Sequence, residues 1–346
     1  MNSNPLPVNS SRLGGCTLTG AISVTSHVRD AVTLVHGPKG CSHHNASLLH
    51  ATWLDNDHAF LPNLVSTGLT ETEVIFGGEA ALRRAIGNAV GRDAQAVFVL
   101  STCIVETIGD DVEAVCSEEY NIPVIPIRTA GFLGGSFHDG VNNALIALAG
   151  TAGPCRKTVG VNIIGEMNLE YEVEENYAEI ARLLSLLGLT VNLRFIHDIT
   201  CDQFSLLGAA QLNILRSPSL VPVGECLRDR FGTPFIPSFP HGLSDTLSFI
   251  GSVAECCGID GQAATEGERA RQVELIDGFT DLRQFPVAFD PSLSGPDDIR
   301  AAEELARALD LSPPAPGHHA RLPVSTAVGT AGTRRMLHRW RRVIHA

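Results

Sequence analysis

Lysine is almost missing from these 346 residues: only Lys39 and Lys157 are present, and every other basic group is an arginine. Aromatic residues are scarce at 5%, so a core has to be built mainly from aliphatic side chains. Surplus positive charge is lacking as well. The formal net charge of −13 argues against a general nucleic-acid binder held by phosphate neutralisation. No apolar run reaches the length that spans a bilayer, and the start, MNSNPLPVNSSRLGG, has no basic segment followed by an apolar one. These absences point to a cytoplasmic protein with no membrane role. Nine cysteines are present, but no pair is spaced C-x-x-C. In a reducing compartment an odd, scattered set favours metal ligation or plain burial over disulfides.

What is present is a recurring strand–turn–helix pattern. AVTLV leads into HGPKGCSHHNASLLHA, and AQAVFVL leads into STCIVETIGDDVEAVCSEE and then IPVIPI. TVGVNIIG leads into EMNLEYEVEENYAEIARLLSLLG and then TVNLRFI, and FPVAFD leads into PSLSGPDDIRAAEELARALD. Continuous apolar strands alternating with amphipathic helices predict an α/β fold of two to three doubly wound, Rossmann-like parallel-sheet domains. Ligands of such sheets sit at the carboxyl ends of the strands, where these turns lie. The expected domains are 1–153, 157–260 and an abridged third unit, 261–346, ending in a basic helix, TAGTRRMLHRWRRVI. Residues 321–346 hold six arginines and no acid.

Three cysteines lie in predicted turns or helix starts: Cys16 in LGGCTLTGA, Cys41 in HGPKGCSHH and Cys103 in LSTCIVETIGDD. A helix N-terminus stabilises a thiolate and lowers its pKa, and thiolate is the form that ligates iron. The neighbouring glycines let backbone approach closely and offer N–H groups. Spacing alone leaves a shared metal site, a redox thiol and three unrelated buried cysteines all open. GPKGCS lacks the G-x-x-x-x-G-K-[ST] spacing of a phosphate loop, so the chain is expected to have no ATP site of its own. Cys116, Cys155, Cys201, Cys226, Cys256 and Cys257 are expected to be structural and mostly buried.

HGPKGC, STGLTETEVIFGGEAALRRAI and STCIVETIGDDVEAV, in this order and spacing, resemble the three signature blocks of the nitrogenase component-1 superfamily. The resemblance covers residues 12–260 and is loose beyond. It implies that Cys16, Cys41 and Cys103 are the metal ligands of an inter-subunit cluster, a 4Fe-4S cluster in the tetrapyrrole-reducing branch. It also implies a partner, an ATP-dependent reductase similar to nitrogenase iron protein. Relatives that hold an iron–molybdenum-type cofactor have a cysteine near the position of Arg216 in NILRSPSL, and none stands here. Within the family the short form most resembles the catalytic component of Ni-sirohydrochlorin a,c-diamide reductive cyclase. That resemblance implies a nickel tetrapyrrole substrate, and ring reduction with lactam closure to the seco precursor of the nickel coenzyme of methyl-coenzyme M reductase; a homodimer is expected because the short form has no obvious need of a second, unlike subunit. Another nitrogenase-like reductase, or a non-catalytic scaffold for metallocofactor assembly, is the alternative.

Around the expected cluster, His43 and His44 are candidates for proton supply, and His241, on a loop at the ligand end of the second domain, is a candidate for a catalytic role toward the substrate. Arg216, Glu166 and Asn168 are candidates for binding the cofactor or substrate, and arginines from Arg334 to Arg342 for closing over substrate carboxylates. Glu106 is a candidate for orienting the Cys103 turn. Asp110 and Asp111 are expected to cap a helix or face solvent.

Overall fold

The structure, a computed structural model, describes residues 15–55, 62–91, 93–133, 135–153, 155–166, 172–290, 295–314, 319–325 and 327–345. These fall into two compact units. The first takes the described residues of Met1–Thr158, Asn162–Tyr171 and Asn192–Phe235; the second takes those of Val159–Val161, Glu172–Val191 and Ile236–Ala346.

The first unit is organised by a sheet of β1 (Ala31–His36), β2 (Leu64–Ser66), β3 (Ala96–Ser101) and β4 (Val124–Arg128), in the order β2-β1-β3-β4 with parallel pairing throughout. Both central strands are buried along their whole length. Their side chains alternate between two cores, as the period of two in a strand requires. Ala31, Val35, Ala96, Phe98 and Leu100 face one, and Val32, Leu34, Val97 and Val99 face the other. The helices of this unit are α1 (Thr17–Thr25), α2 (Lys39–Asp55), α3 (Glu71–Phe76), α4 (Glu79–Val90), α5 (Cys103–Ile108), α6 (Val112–Cys116) and α7 (Phe137–Gly150). The strand order changes direction between β1 and β3, which makes the gap between their carboxyl ends a topological switch point.

Helix α1 is buried at every residue. It meets α7 backbone to backbone. A Cβ on Gly20 would overlap the Phe137 carbonyl oxygen, and one on Gly140 would overlap the Thr17 carbonyl oxygen. Only glycine fits at these two positions, and the pair fixes where α1 begins.

A second sheet, of β5 (Gly160–Ile164), β6 (Thr190–Phe195), β7 (Leu212–Leu215) and β8 (Phe235–Ile236), has the order β6-β5-β7-β8 and so repeats the pattern of the first. Helix α8 (Val173–Ser185) connects β5 to β6, and α9 (Val221–Phe231) lies between β7 and β8. Most of this sheet and all of α9 belong to the first unit; the second unit contains α8, α10 (Gly242–Cys257), α11 (Gln262–Asp277), a parallel pair of β9 (Val287–Asp290) and β10 (Ala320–Pro323), α12 (Pro296–Ala308) and the basic helix α13 (Gly329–Ile344). On α13, Met336, Leu337, Trp340 and Ile344 are buried in the apolar core of this unit. Three of its five arginines are engaged by acids of the same unit. Arg335 Nε is 2.8 Å from Glu172 Oε2, Arg339 also pairs with Glu172, and Arg341 is 2.5 Å from Asp281 Oδ1. The expectation that this tail closes a ligand cleft gives way, for these three side chains, to docking within the unit. Among the described residues no helix is long and apolar enough to cross a membrane.

Candidate metal centre

Cys16 is the N-cap residue of α1 and is exposed, with Sγ 3.5 Å from Thr19 Oγ1. Cys41 lies in the first turn of α2, just after β1, and Cys103 opens α5, just after β3; both are half-buried. Cys41 and Cys103 thus flank the switch point of the first sheet. The three thiols share one electrostatic neighbourhood. Burial pushes the Cys41 thiol above its ordinary pKa, and the charges of Cys103 and Cys16 push it further. A lowered pKa, expected from the helix start alone, is therefore not what this thiol has. The causes are burial first, then the charges of Cys103 and Cys16. Cationic iron at this point would reverse the repulsion. Among the described residues no three His, Cys, Asp or Glu side chains are close enough to share one metal ion.

The turns around the thiols are tightly interlocked. A Cβ on Gly37 would overlap the side chain of Thr102, the residue before Cys103. The turn before Cys41 can therefore reach the Cys103 turn only because residue 37 is glycine. Thr17 follows Cys16, and both Thr17 Oγ1 and Thr102 Oγ1 are buried without a hydrogen-bond partner. Buried hydroxyls are ordinarily satisfied, so two orphans flanking two of the three thiols mark a place where acceptors from a bound group fit.

A second set of residues, missed at the level of sequence, ties these turns together. The buried His36 ring sits with Nε2 3.1 Å from Asp110 Oδ2 and Nδ1 3.1 Å from Thr67 Oγ1. Asp110 also accepts the Gly78 N–H at 3.0 Å, and Thr67 Oγ1 accepts the Gly37 N–H at 2.9 Å. Burial lowers the His36 pKa, opposed by the Asp110 charge. Asp110 is thus neither a solvent-facing group nor a cap. Asp111 alone caps, accepting from Ala114 N–H at 2.9 Å. Each quoted motif block contributes at least one member of this knot, a signal readable only once the blocks are known to meet. Glu106 accepts from Ser101 Oγ at 2.5 Å, at the end of β3.

The remaining candidates are dispersed. His43 and His44 are exposed on the first turns of α2. Glu166 and Arg216 follow β5 and β7, neighbouring strands at the switch point of the second sheet. Glu166 is buried and accepts from Arg194 Nε at 2.8 Å, while the Arg216 N–H donates to the Ile164 carbonyl at 2.9 Å. Asn168 lies outside the described residues. His241 belongs to the second unit, at the N-cap of α10, with Nδ1 3.1 Å from Asp298 Oδ1. Cys116 is buried and its thiol is pushed up to about 12, chiefly by burial. Cys155 and Cys256 are exposed, against expectation; Cys155 lies on an irregular connection between α7 and β5, and Cys256 on the outer face near the end of α10.

Fold and site together define an α/β protein with cysteines gathered at a switch point of its first sheet. The chain belongs to the family of nitrogenase component 1 type oxidoreductases, which it matches over residues 16–287. It is 33% identical over 250 residues to the nitrogenase iron-molybdenum cofactor biosynthesis protein NifE of Clostridium pasteurianum, covering 70% of this chain and 54% of that one. It is 30% identical over 270 residues to the nitrogenase molybdenum-iron protein alpha chain of Methanothermobacter thermautotrophicus, covering 72% of this chain and 57% of that one. The chain spans about half the length of the curated relatives it matches. In fold it is similar to the solved structure of nitrogenase Cp1 at pH 5, with a TM-score of 0.65 and 23% identity over 93% of this chain and 68% of that one.

Proposed function

We propose that this chain is the catalytic component of a nitrogenase-like reductase whose Cys16, Cys41 and Cys103 hold a 4Fe-4S cluster. The observation that carries the reading is the convergence of the three thiols on one electrostatic neighbourhood, two of them at the switch point. A cluster bound there supplies one-electron transfer. The protein's own part is to fix the thiols on interlocked turns, to offer Thr17 and Thr102 hydroxyls beside them, and to supply protons from His43 or His44. His241 is retained as a candidate for a catalytic role toward the substrate. Arg216, Glu166 and Asn168 are proposed for substrate binding, beside the second switch point. Electrons come from a separate ATP-dependent reductase similar to nitrogenase iron protein, and the working unit is a homodimer.

For the substrate, the reading is Ni-sirohydrochlorin a,c-diamide, reduced in the ring and closed to a lactam. The absence of a cysteine in NILRSPSL, where an iron–molybdenum-type cofactor is held in relatives, supports a substrate other than that of nitrogenase. A second reading, an assembly scaffold that carries a metallocofactor, is favoured by the 31–33% identity to NifE proteins. The two are separated by one experiment. Anaerobically purified protein is mixed with the reductase, ATP, a reductant and the nickel tetrapyrrole. Catalytic conversion over many turnovers supports the reductase. Stoichiometric retention of a metallocofactor without turnover supports the scaffold and overturns the first reading.

A further inference from the structure

One face of α2 carries a groove that shares only His43 with the residues assigned to the thiol site. Lys39, His43, Ser47 and His50 lie along it at helical spacing, with Ser42 beside them and Ser66 of β2 opposite. Ala46, Leu64 and Val65 supply its apolar wall. Its volume is about 730 Å³, within the range of small-molecule sites. The core-facing side of the same helix is different: Asn45, Leu49, Thr52 and Trp53 are buried there.

The charge of this groove runs against that of the chain. The protein carries −13, yet among the described residues the groove's lining includes no aspartate or glutamate. It includes one of the chain's two lysines. The other, Lys157, is occupied by the Ala210 carbonyl at 3.0 Å and by Thr233 Oγ1. Lys39 is exposed and, among the described residues, has no ion-pair partner. Its stem is laid down rather than free. Gly68, at φ +62, leaves the space that the stem crosses, and a Cβ there would come within 2.9 Å of Lys39 Cε. His50 adds a ring nitrogen, Nδ1, that is buried without a hydrogen-bond partner. An ammonium, two imidazoles and serine hydroxyls, set against an aliphatic wall with no acid among the described residues, match the carboxylates of an organic anion with an apolar body.

We infer that this groove binds such an organic polycarboxylate, beginning within one turn of Cys41. The inference rests on the reductase reading only for the choice of a tetrapyrrole as probe. Carboxylates anchor at Lys39 and His50, and the apolar body lies on Leu64 and Val65. This assigns carboxylate recognition to α2 rather than to the arginines of α13, three of which the second unit engages itself.

The test is a fluorescence titration of uroporphyrin into anaerobically purified protein, with a tetracationic N-methylpyridyl porphyrin as the charge-reversed probe. Uroporphyrin should bind and the cationic porphyrin should not. Lys39→Gln and His50→Gln should each weaken uroporphyrin, Lys39→Gln by about tenfold, as loss of a charge-assisted contact predicts. Ser47→Glu, which places an acid on the exposed part of the groove, should weaken it at least as much; unchanged iron content and thermal midpoint establish that each variant is folded. Inorganic phosphate at matched ionic strength should displace the probe no more than chloride does. Equal affinity in all three variants, equal binding of the cationic porphyrin, or selective displacement by phosphate would overturn the proposal. Binding with these dependences but without turnover leaves the groove intact and sinks the reductase reading; turnover that ignores all three changes does the reverse.

Discussion

His36 Nε2 and Asp110 Oδ2 stand 3.1 Å apart with both side chains buried, joining the end of β1 to the turn after α5. Their separation in sequence is large, and their partners Thr67 and Gly78 come from the segment between them. The pair therefore joins the turns that carry Cys41 and Cys103 without touching either thiol.

That relationship predicts an acid-sensitive fold. The His36 pKa is lowered in the folded protein, so below the ordinary histidine value of about 6.5 the unfolded chain takes up a proton that the folded chain resists. The stability contributed by the neutral ring is fully present above that value and is lost progressively as pH falls from it through the lower folded-state value. Denaturant midpoints should decline from about pH 6.5 downward. His36→Gln should flatten this slope. Asp110→Ala, which leaves the Gly78 N–H and the His36 ring without their acceptor, should cost about 1–3 kcal/mol at pH 7. An unchanged acid slope in His36→Gln would assign the sensitivity elsewhere.

Cluster content should follow the thiol map. Protein purified without oxygen should be brown and contain iron and sulfide. Cys16→Ser, Cys41→Ser and Cys103→Ser should each lose or alter the cluster by absorbance and electron paramagnetic resonance. Cys116→Ser, a buried core thiol, and Cys256→Ser, an exposed one, should retain it. Equal loss at all five positions would remove the assignment.

The chain by itself should neither bind nor hydrolyse ATP, because GPKGCS lacks phosphate-loop spacing and the stem of Lys39 lies across Gly68. Phosphate release assays on the isolated protein, free of contaminating ATPases, check this directly.

In the second unit, Arg182 bridges two buried carboxylates, Glu179 at 2.7 Å and Glu268 at 2.7 Å. The Glu179 carboxylate also accepts the Ala331 N–H at 3.0 Å, at the start of α13. Arg182→Met leaves both acids buried and uncompensated, and should cost about 3–5 kcal/mol in urea unfolding. The double change Arg335→Ala with Arg339→Ala releases the more exposed Glu172 and should cost less, about 1–2 kcal/mol, with cluster content unaffected.

Much of the fold was readable because its signals are local. The runs AVTLV and AQAVFVL became the fully buried β1 and β3, and TAGTRRMLHRWRRVI gave a helix with its apolar stripe at Met336, Leu337, Trp340 and Ile344. The positions of Cys41 and Cys103 just after strands were legible for the same reason. What stayed hidden depends on residues distant in sequence. Asp110 looked like a capping residue because its partners, His36 and Gly78, belong to other motif blocks. The Cys41 pKa was misjudged because the helix start is written locally, whereas the burial and the neighbouring thiolates are products of folding. The tail arginines looked available for ligand because Glu172 and Asp281, which hold three of them, lie far away in the chain.

The missing methyl groups at Gly20 and Gly140 have a mechanical consequence for Cys16. Two helices that touch backbone to backbone cannot slide smoothly past one another. Moving α1 along α7 by one residue would bring Thr19 or Ala21 to the spot that admits no Cβ. Its axial position is therefore keyed, like a notch on a shaft, and the thiol at its end inherits that placement. Gly20→Ala or Gly140→Ala should displace a sulfur that neither residue touches, which makes two glycines with no chemistry of their own arbiters of where a ligand can stand.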